Sequence, residues 1–266
     1  MSILQALLLG VLQGLTEFLP VSSSGHLALA EHFFHVASPG VLFEVFVHLG
    51  TALAVIVFFR KRVASILAAL VSAVGRRTHD RDDARLGVHL LIGTVPAAVV
   101  GYLFEKEVEQ AFESPTVVSA LLLVTGLFLW AAGRARRGRR DRTSVRDALL
   151  IGIAQAVAIL PGISRSGATV SAGLGLGLRR EVAVEFAFFL SVPVILGAAA
   201  VSLPDAIAAG RGAGWPIALG SVVAFASALP AIAILLRAVV SGRIQWFAYY
   251  CWAAGATGLL LLAVRG

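Results

Sequence analysis

Gly10-Val11-Leu12-Gln13-Gly14-Leu15-Thr16-Glu17-Phe18-Leu19-Pro20-Val21-Ser22-Ser23-Ser24-Gly25-His26 and Gly152-Ile153-Ala154-Gln155-Ala156-Val157-Ala158-Ile159-Leu160-Pro161-Gly162-Ile163-Ser164-Arg165-Ser166-Gly167-Ala168 are two copies of one pattern. At a constant offset of 142, Gly10, Gln13, Ser22, Ser24 and Gly25 fall on Gly152, Gln155, Ser164, Ser166 and Gly167, while the proline slips by one position. The chain therefore reads as a duplication. In each copy an apolar, helix-like run is stopped by proline and restarted after a break containing Ser and Gly, the pattern of two half-helices joined inside a membrane. Such a break leaves backbone N–H groups at depth, and those groups suit an anion.

Composition sets the environment. Of 266 residues, 58% are hydrophobic and 14% charged, and mean hydropathy is +0.89; a soluble domain needs far more charge on its surface. This composition belongs to a polytopic membrane protein. The net charge of +7 does not argue for nucleic acid, because the basic residues cluster at the ends of hydrophobic segments, where membrane topology explains them. The lone Cys251 excludes an intrachain disulfide or a cysteine metal cluster. No Lys or Arg precedes Arg60, and Glu17 and Pro20 interrupt the first apolar run, so the N-terminus is expected to belong to the fold and not to a cleaved signal.

Apolar segments long enough to span are expected at about 41–59, 86–104, 116–132, 182–203, 217–237 and 247–264. The broken segments, about 3–36 and 148–178, are expected as re-entrant helical hairpins, because each half is too short to cross ~30 Å of hydrocarbon. Arg60, Lys61, Arg62, Arg76, Arg77, Arg81 and Arg85 follow the first crossing, and Arg134, Arg136, Arg137, Arg139, Arg140, Arg142 and Arg146 follow the third. Both loops are expected to be cytoplasmic. The acidic stretch with Glu105, Glu107, Glu109 and Glu113 then lies outside, as do both termini. One hairpin and three crossings per copy is an odd number of traverses, so the second copy enters upside down. The expected fold is an all-α integral membrane protein with an inverted-topology repeat, six transmembrane helices and two re-entrant helical hairpins. Repeat 1 covers 1–132, a basic cytoplasmic linker 133–147, and repeat 2 148–266. Entering from opposite faces, the hairpin tips should meet near the midplane; segment 63–74 reads as an interfacial or packed helix.

Chemistry concentrates at those tips. Arg165 alone among the Lys and Arg residues lies far from an expected membrane boundary, and a cation at depth costs roughly 2.5–3.5 kcal/mol or more. Either it pairs with Glu17 or with broken-helix carbonyls to lock the repeats, or it clamps an anion together with the Ser164 and Ser166 hydroxyls and the N–H groups of Gly167 and Ala168. Phosphate fits such a cradle best. Glu17 lies one turn after Gln13, so both project toward the break; it reads as counter-ion to Arg165, as general base, or as ligand for a hard divalent cation. Serines after a proline are usually helix N-caps, and one of Ser22, Ser23 and Ser24 fits that role. A serine within reach of the His26 imidazole also provides a nucleophile with an acid-base partner. Glu44 and His48 lie four apart on the first crossing, with Glu185 repeat-related to Glu44 at offset 141; these read as scaffolding bonded to the broken-helix backbones. His32, His35, His79 and His89 show no partner pattern.

Gln13-Gly-Leu-Thr-Glu17-Phe-Leu-Pro20-Val-Ser-Ser-Ser-Gly-His26 together with Pro161-Gly-Ile-Ser164-Arg165-Ser166-Gly-Ala-Thr169 resembles the undecaprenyl-diphosphate phosphatase family associated with bacitracin resistance. The resemblance extends through Phe43-Glu44-Val-Phe-Val-His48-Leu-Gly50-Thr51, Thr94-Val-Pro-Ala-Ala and Glu185-Phe-Ala-Phe-Phe-Leu-Ser-Val-Pro193 to the last crossings. It implies a bacterial inner-membrane enzyme, reached from the outer side, that removes the terminal phosphate of the C55 isoprenoid diphosphate and recycles the carrier lipid of cell-wall synthesis. It implies a divalent cation, Mg²⁺ or Ca²⁺, at Gln13 and Glu17; Ser23 and His26 as catalytic Ser and His; Arg165 as the phosphate-binding arginine; and Ser22, Ser24, Ser164, Ser166, Gly167 and Thr169 around the substrate. Gln13 cannot be a base, which leaves Glu17 to carry the negative charge. Expected partners are the polyprenyl diphosphate lipid and membrane lipids, not nucleic acid, with a homodimer admitted. The competing class is a transporter or flippase of an anionic lipid phosphate, since inverted repeats with broken helices describe many transporters. The unsymmetrical tips argue against it: copy one alone supplies Glu17 and His26, copy two alone supplies Arg165.

Overall fold

A computed structural model describes residues 2–34, 40–75, 80–209 and 214–265. His35, His79, Arg76, Arg77 and the end of the first broken segment lie outside the described residues. Among those described, the chain forms twelve helices: α1 Ile3–Phe18, α2 Ser23–Phe34, α3 Val41–Phe58, α4 Arg60–Val74, α5 Arg81–Leu103, α6 Glu105–Phe112, α7 Pro115–Gly133, α8 Val145–Val157, α9 Arg165–Gly175, α10 Arg180–Ala209, α11 Gly214–Val240 and α12 Trp246–Arg265. Six of them, α3, α5, α7, α10, α11 and α12, are long and apolar enough to cross a membrane. The protein is an all-α membrane protein with six such helices.

The helix ends follow local chemistry. α5 begins earlier than its apolar run, because Asp80 caps it, its side chain accepting from the N–H groups of Asp82 (2.8 Å) and Asp83 (3.2 Å). Those bonds, Asp83 first, hold the exposed Asp80 carboxyl below its ordinary range. α1 ends at Leu19, whose extended backbone (φ −62°, ψ 138°) is what a residue before proline prefers. α1, α2, α8 and α9, with 16, 12, 13 and 11 residues, are only about 16–24 Å long at 1.5 Å per residue. The segment read as an interfacial or packed helix is α4, which follows α3 after a break at Phe59.

Packing brings the short helices inward. α1 lies on α11 and α8 on α5; α3 packs on α10, and α7 on α12. These crossings are close because small residues meet: a Cβ added at Gly10 would come within 2.6 Å of the Gly220 carbonyl, and one at Gly152 within 2.4 Å of the Gly93 carbonyl. The Ser227 hydroxyl also donates to the Gly10 carbonyl (3.5 Å). In the centre Phe18 meets Phe188 edge-on at 5.5 Å, and Phe59 packs on Phe188 and Phe189. The basic linker is tied down: Arg140 grips Asp147 with both terminal nitrogens (2.7 and 2.9 Å) and pairs through its backbone with Gly177 and Arg179. The bonds to Asp147 raise the Arg140 pKa further above its ordinary value.

Candidate active site

The two breaks lie against each other. The chain leaves α1 through Pro20 and Val21 and turns at Ser22, whose φ is +69°. That strained turn directs the Ser22 hydroxyl, which accepts from the N–H groups of Gly25 and Gly162 (both 3.2 Å). Gly162 has φ +95°, and a Cβ there would come within 2.4 Å of the Val118 carbonyl. Its conformation and its close approach to α7 both require glycine. On α7, Thr125 donates to the Gly162 carbonyl (2.7 Å) and accepts from the Ser164 N–H (3.1 Å). The Ser166 hydroxyl donates to the Leu19 carbonyl (3.3 Å) across the junction. These bonds fix the side chains of the junction in place.

Glu17, buried at the end of α1, is the centre of the constellation. The Gln13 Nε2 donates to Glu17 Oε2 (2.8 Å), and the Ser23 hydroxyl donates to the same oxygen (2.7 Å). From the other break, an Arg165 Nη donates to Oε1. His48 Nε2 stands 3.6 Å from Oε2, and its Nδ1 lies 2.7 Å from the Glu44 carbonyl, to which it donates. Glu17, Ser23, Ser24, Glu44 and His48 line one wall of a cavity of about 300 Å³; Gln155, Ser164 and Arg165 line another. Val45, Ala97, Ile159, Val194, Ile195 and Ala198 give it apolar flanks. A carboxylate, a hydroxyl bonded to it and a guanidinium thus face one partly apolar chamber.

Several residues occupy other places than the sequence suggests. His26 does not reach Ser23: its Nδ1 donates to the Ser22 carbonyl (2.8 Å), and its Nε2 is 2.7 Å from the Tyr250 hydroxyl, with the two rings stacked. It buttresses the turn against α12 and is not among the residues lining the cavity. The N–H groups of Gly167 and Ala168 are not an open cradle, because Ser164 caps α9 and accepts both, through its hydroxyl (3.1 Å) and its carbonyl (2.8 Å). Gly167 packs against Phe128 and Pro20, and Thr169 donates back to the Arg165 carbonyl (2.8 Å). Ser166, Gly167 and Thr169 therefore brace the junction, while Ser22 bridges the two breaks and also touches the cavity. Glu44 and His48 line the cavity and do not bond the broken-helix backbones. Glu185 does not line this cavity but a smaller one of about 130 Å³ with Arg62, Arg85, His89 and Arg142. His89 Nδ1 lies 2.9 Å from the Thr143 hydroxyl. The signal for His48 is its spacing from Glu44; only the packing of α3 beside α1 shows that it faces Glu17.

Among the described residues, no three His, Cys, Asp or Glu side chains gather as a metal-binding group. One observation fits a hard cation at Gln13 and Glu17: the buried Gln13 Oε1 has no hydrogen-bond partner and sits on the same helix face as the carboxylate.

The chain is 41% identical over 271 residues to an undecaprenyl-diphosphatase of Desulforapulum autotrophicum, covering 98% of each protein. It is 38% identical over 265 residues to one of Corynebacterium glutamicum (98% of this chain, 90% of the relative), and 40% identical over 272 residues to one of Mycobacterium bovis (100% and 98%). A family model described as bacitracin resistance protein BacA matches residues 6–257, nearly the whole chain and both breaks, and the protein belongs to that family.

Proposed function

We propose that the protein is a membrane phosphatase that hydrolyses undecaprenyl diphosphate to undecaprenyl phosphate and inorganic phosphate, recycling the lipid carrier of cell-wall synthesis. The relatives' activity supports this. The observation that carries it here is the Ser23 hydroxyl bonded to Glu17 inside a cavity that also holds Arg165. A transported anion needs a site that binds and releases; a hydroxyl held on a carboxylate is arranged to lose its proton.

The reaction follows from that arrangement. The diphosphate competes with Glu17 for the Arg165 guanidinium, whose planar fork matches phosphate oxygens. Glu17, released from Arg165, accepts the Ser23 proton. Ser23 Oγ bonds to the terminal phosphorus as the bond from that phosphorus to the bridging oxygen breaks, and undecaprenyl phosphate departs. Water then hydrolyses the phosphoserine, and the proton held by Glu17 returns to Ser23 Oγ. A divalent cation, Mg²⁺ or Ca²⁺, would be held by Glu17 and the Gln13 Oε1, and when bound it supplies charge neutralisation for the phosphates.

We place the protein in the bacterial inner membrane with the cavity reached from the outer side. The cavity uses the Val41–His48 end of α3, which is far from Arg60, and the Val194–Ser202 end of α10, which is far from Arg180; the positive-inside rule puts those ends outside. The reciprocal crossings, α1 on α11 and α8 on α5, support the inverted repeat with two re-entrant hairpins. Phosphate release from undecaprenyl diphosphate by purified protein in detergent tests the activity. Ser23→Ala should abolish turnover, and phosphoserine should be trapped in wild type but not in the variant. A Ser23→Ala enzyme with a readily measured rate would replace serine attack by water attack.

A further inference from the structure

Gln155 is the repeat partner of Gln13, yet the two amides are not in the same state. Gln13 spends its Nε2 on Glu17. Gln155, 1% exposed on α8, has neither its Nε2 nor its Oε1 bonded, and the residue is part of the lining of the cavity that holds Glu17, Ser23 and Arg165. A buried carboxamide without partners is a net cost to the folded protein. A residue retained only for packing would be better served by an apolar side chain of the same volume.

We infer that Gln155 is a substrate-binding residue for the diphosphate headgroup. The proposal rests on the phosphatase reading and extends it. The lone pairs of the phosphate oxygens outnumber the donors that Arg165 and Ser23 present, and the Gln155 NH₂ supplies further hydrogen bonds without charge. Its carbonyl accepts from a hydroxyl of a singly protonated phosphate. Neutrality matters in a cavity that Glu17 and Glu44 already line, since a further carboxylate would repel the headgroup. The contact forms on binding, so it governs affinity more than the chemical step.

The test uses the purified full-length protein with two variants. Gln155→Leu is nearly isosteric and removes the unpaired amide. It should unfold at the wild-type temperature or higher, raise KM for undecaprenyl diphosphate about tenfold with kcat within about threefold, and lose most of the thermal shift that inorganic pyrophosphate gives wild type. Gln155→Glu should raise KM more than Gln155→Leu does, through repulsion. A wild-type KM in either variant overturns the assignment. So does a Gln155→Leu protein that unfolds early or fails to fold, which would make Gln155 structural. If wild type releases no phosphate, the phosphatase reading fails on its own, and the pyrophosphate shift, kept or lost in Gln155→Leu, still decides Gln155.

Discussion

Arg165 and Glu17 come from opposite halves of the chain and meet at one carboxylate, so the pair is a structural tie that the proposed reaction would have to open. Lysine in place of Arg165 keeps the tie's charge but not the planar fork. Arg165→Lys should therefore express and fold, yet lose roughly a hundredfold or more in kcat/KM, the scale of one lost transition-state donor; near-normal turnover would remove the guanidinium from phosphate binding. Charge balance argues for the metal. The diphosphate brings two or more negative charges to a site where Glu17 adds another and Arg165 is the cation in contact with it. Activity should vanish in excess EDTA and return with Mg²⁺ or Ca²⁺, Gln13→Glu should remain active with altered cation dependence, and Glu17→Gln should be far more damaging than Gln13→Ala. Full-rate turnover by metal-stripped enzyme would leave Glu17 as base and Arg165 partner alone. At this scale the sequence was partly legible. Glu17, Ser23 and Arg165 stand out as polar groups in apolar surroundings. The position of the His26 ring was not legible, because adjacency to serines along the chain says nothing of where a helix turns its ring, and here Tyr250 and the Ser22 carbonyl take both nitrogens.

The breaks act as elements because neighbouring helices over-determine them. Thr125, buried on α7, satisfies a carbonyl and an N–H of the second break at once. Thr125→Val keeps the shape and orphans both, costing about 2 kcal/mol by the usual penalty for unmet buried groups. The variant should show a lower unfolding temperature in detergent, and a kcat several-fold below wild type because Ser164 and Arg165 lose their fixed register; unchanged stability and rate would mean the break is held elsewhere. The existence of both breaks was readable from Pro20, Pro161 and the serines. Thr125 was not, since nothing local distinguishes a bonded threonine from any other in an apolar helix. Element ends were read short for a related reason: hydropathy loses the charged first turns, so α5 begins at Arg81 and α10 at Arg180, while α10 runs through Pro204.

At the scale of the whole molecule, the six long helices were legible because lipid demands long apolar runs, and their mutual packing was not, because it depends on small residues such as Gly10, Gly93, Gly152 and Gly220 whose pairing has no one-dimensional signature. Orientation is the remaining global property, and charge argues it. The α3–α4 junction and the linker carry the arginines, whereas α6 carries Glu105, Glu107 and Glu109, so α6 and the linker should lie on opposite sides. The single native thiol, Cys251, is fully buried, and its replacement by alanine gives a background for site-directed labelling. In that background Glu109→Cys on exposed α6 should react with a membrane-impermeant maleimide in intact cells, and Arg137→Cys in the linker only after permeabilisation. Because Val41 lines the cavity at the end of α3 far from Arg60, Val41→Cys should label with Glu109→Cys and be slowed by added diphosphate. Labelling of Arg137→Cys but not Glu109→Cys in intact cells would invert the molecule and turn the cavity toward the cytoplasm. Labelling of both from one side would break the odd number of crossings between them on which the inverted repeat depends.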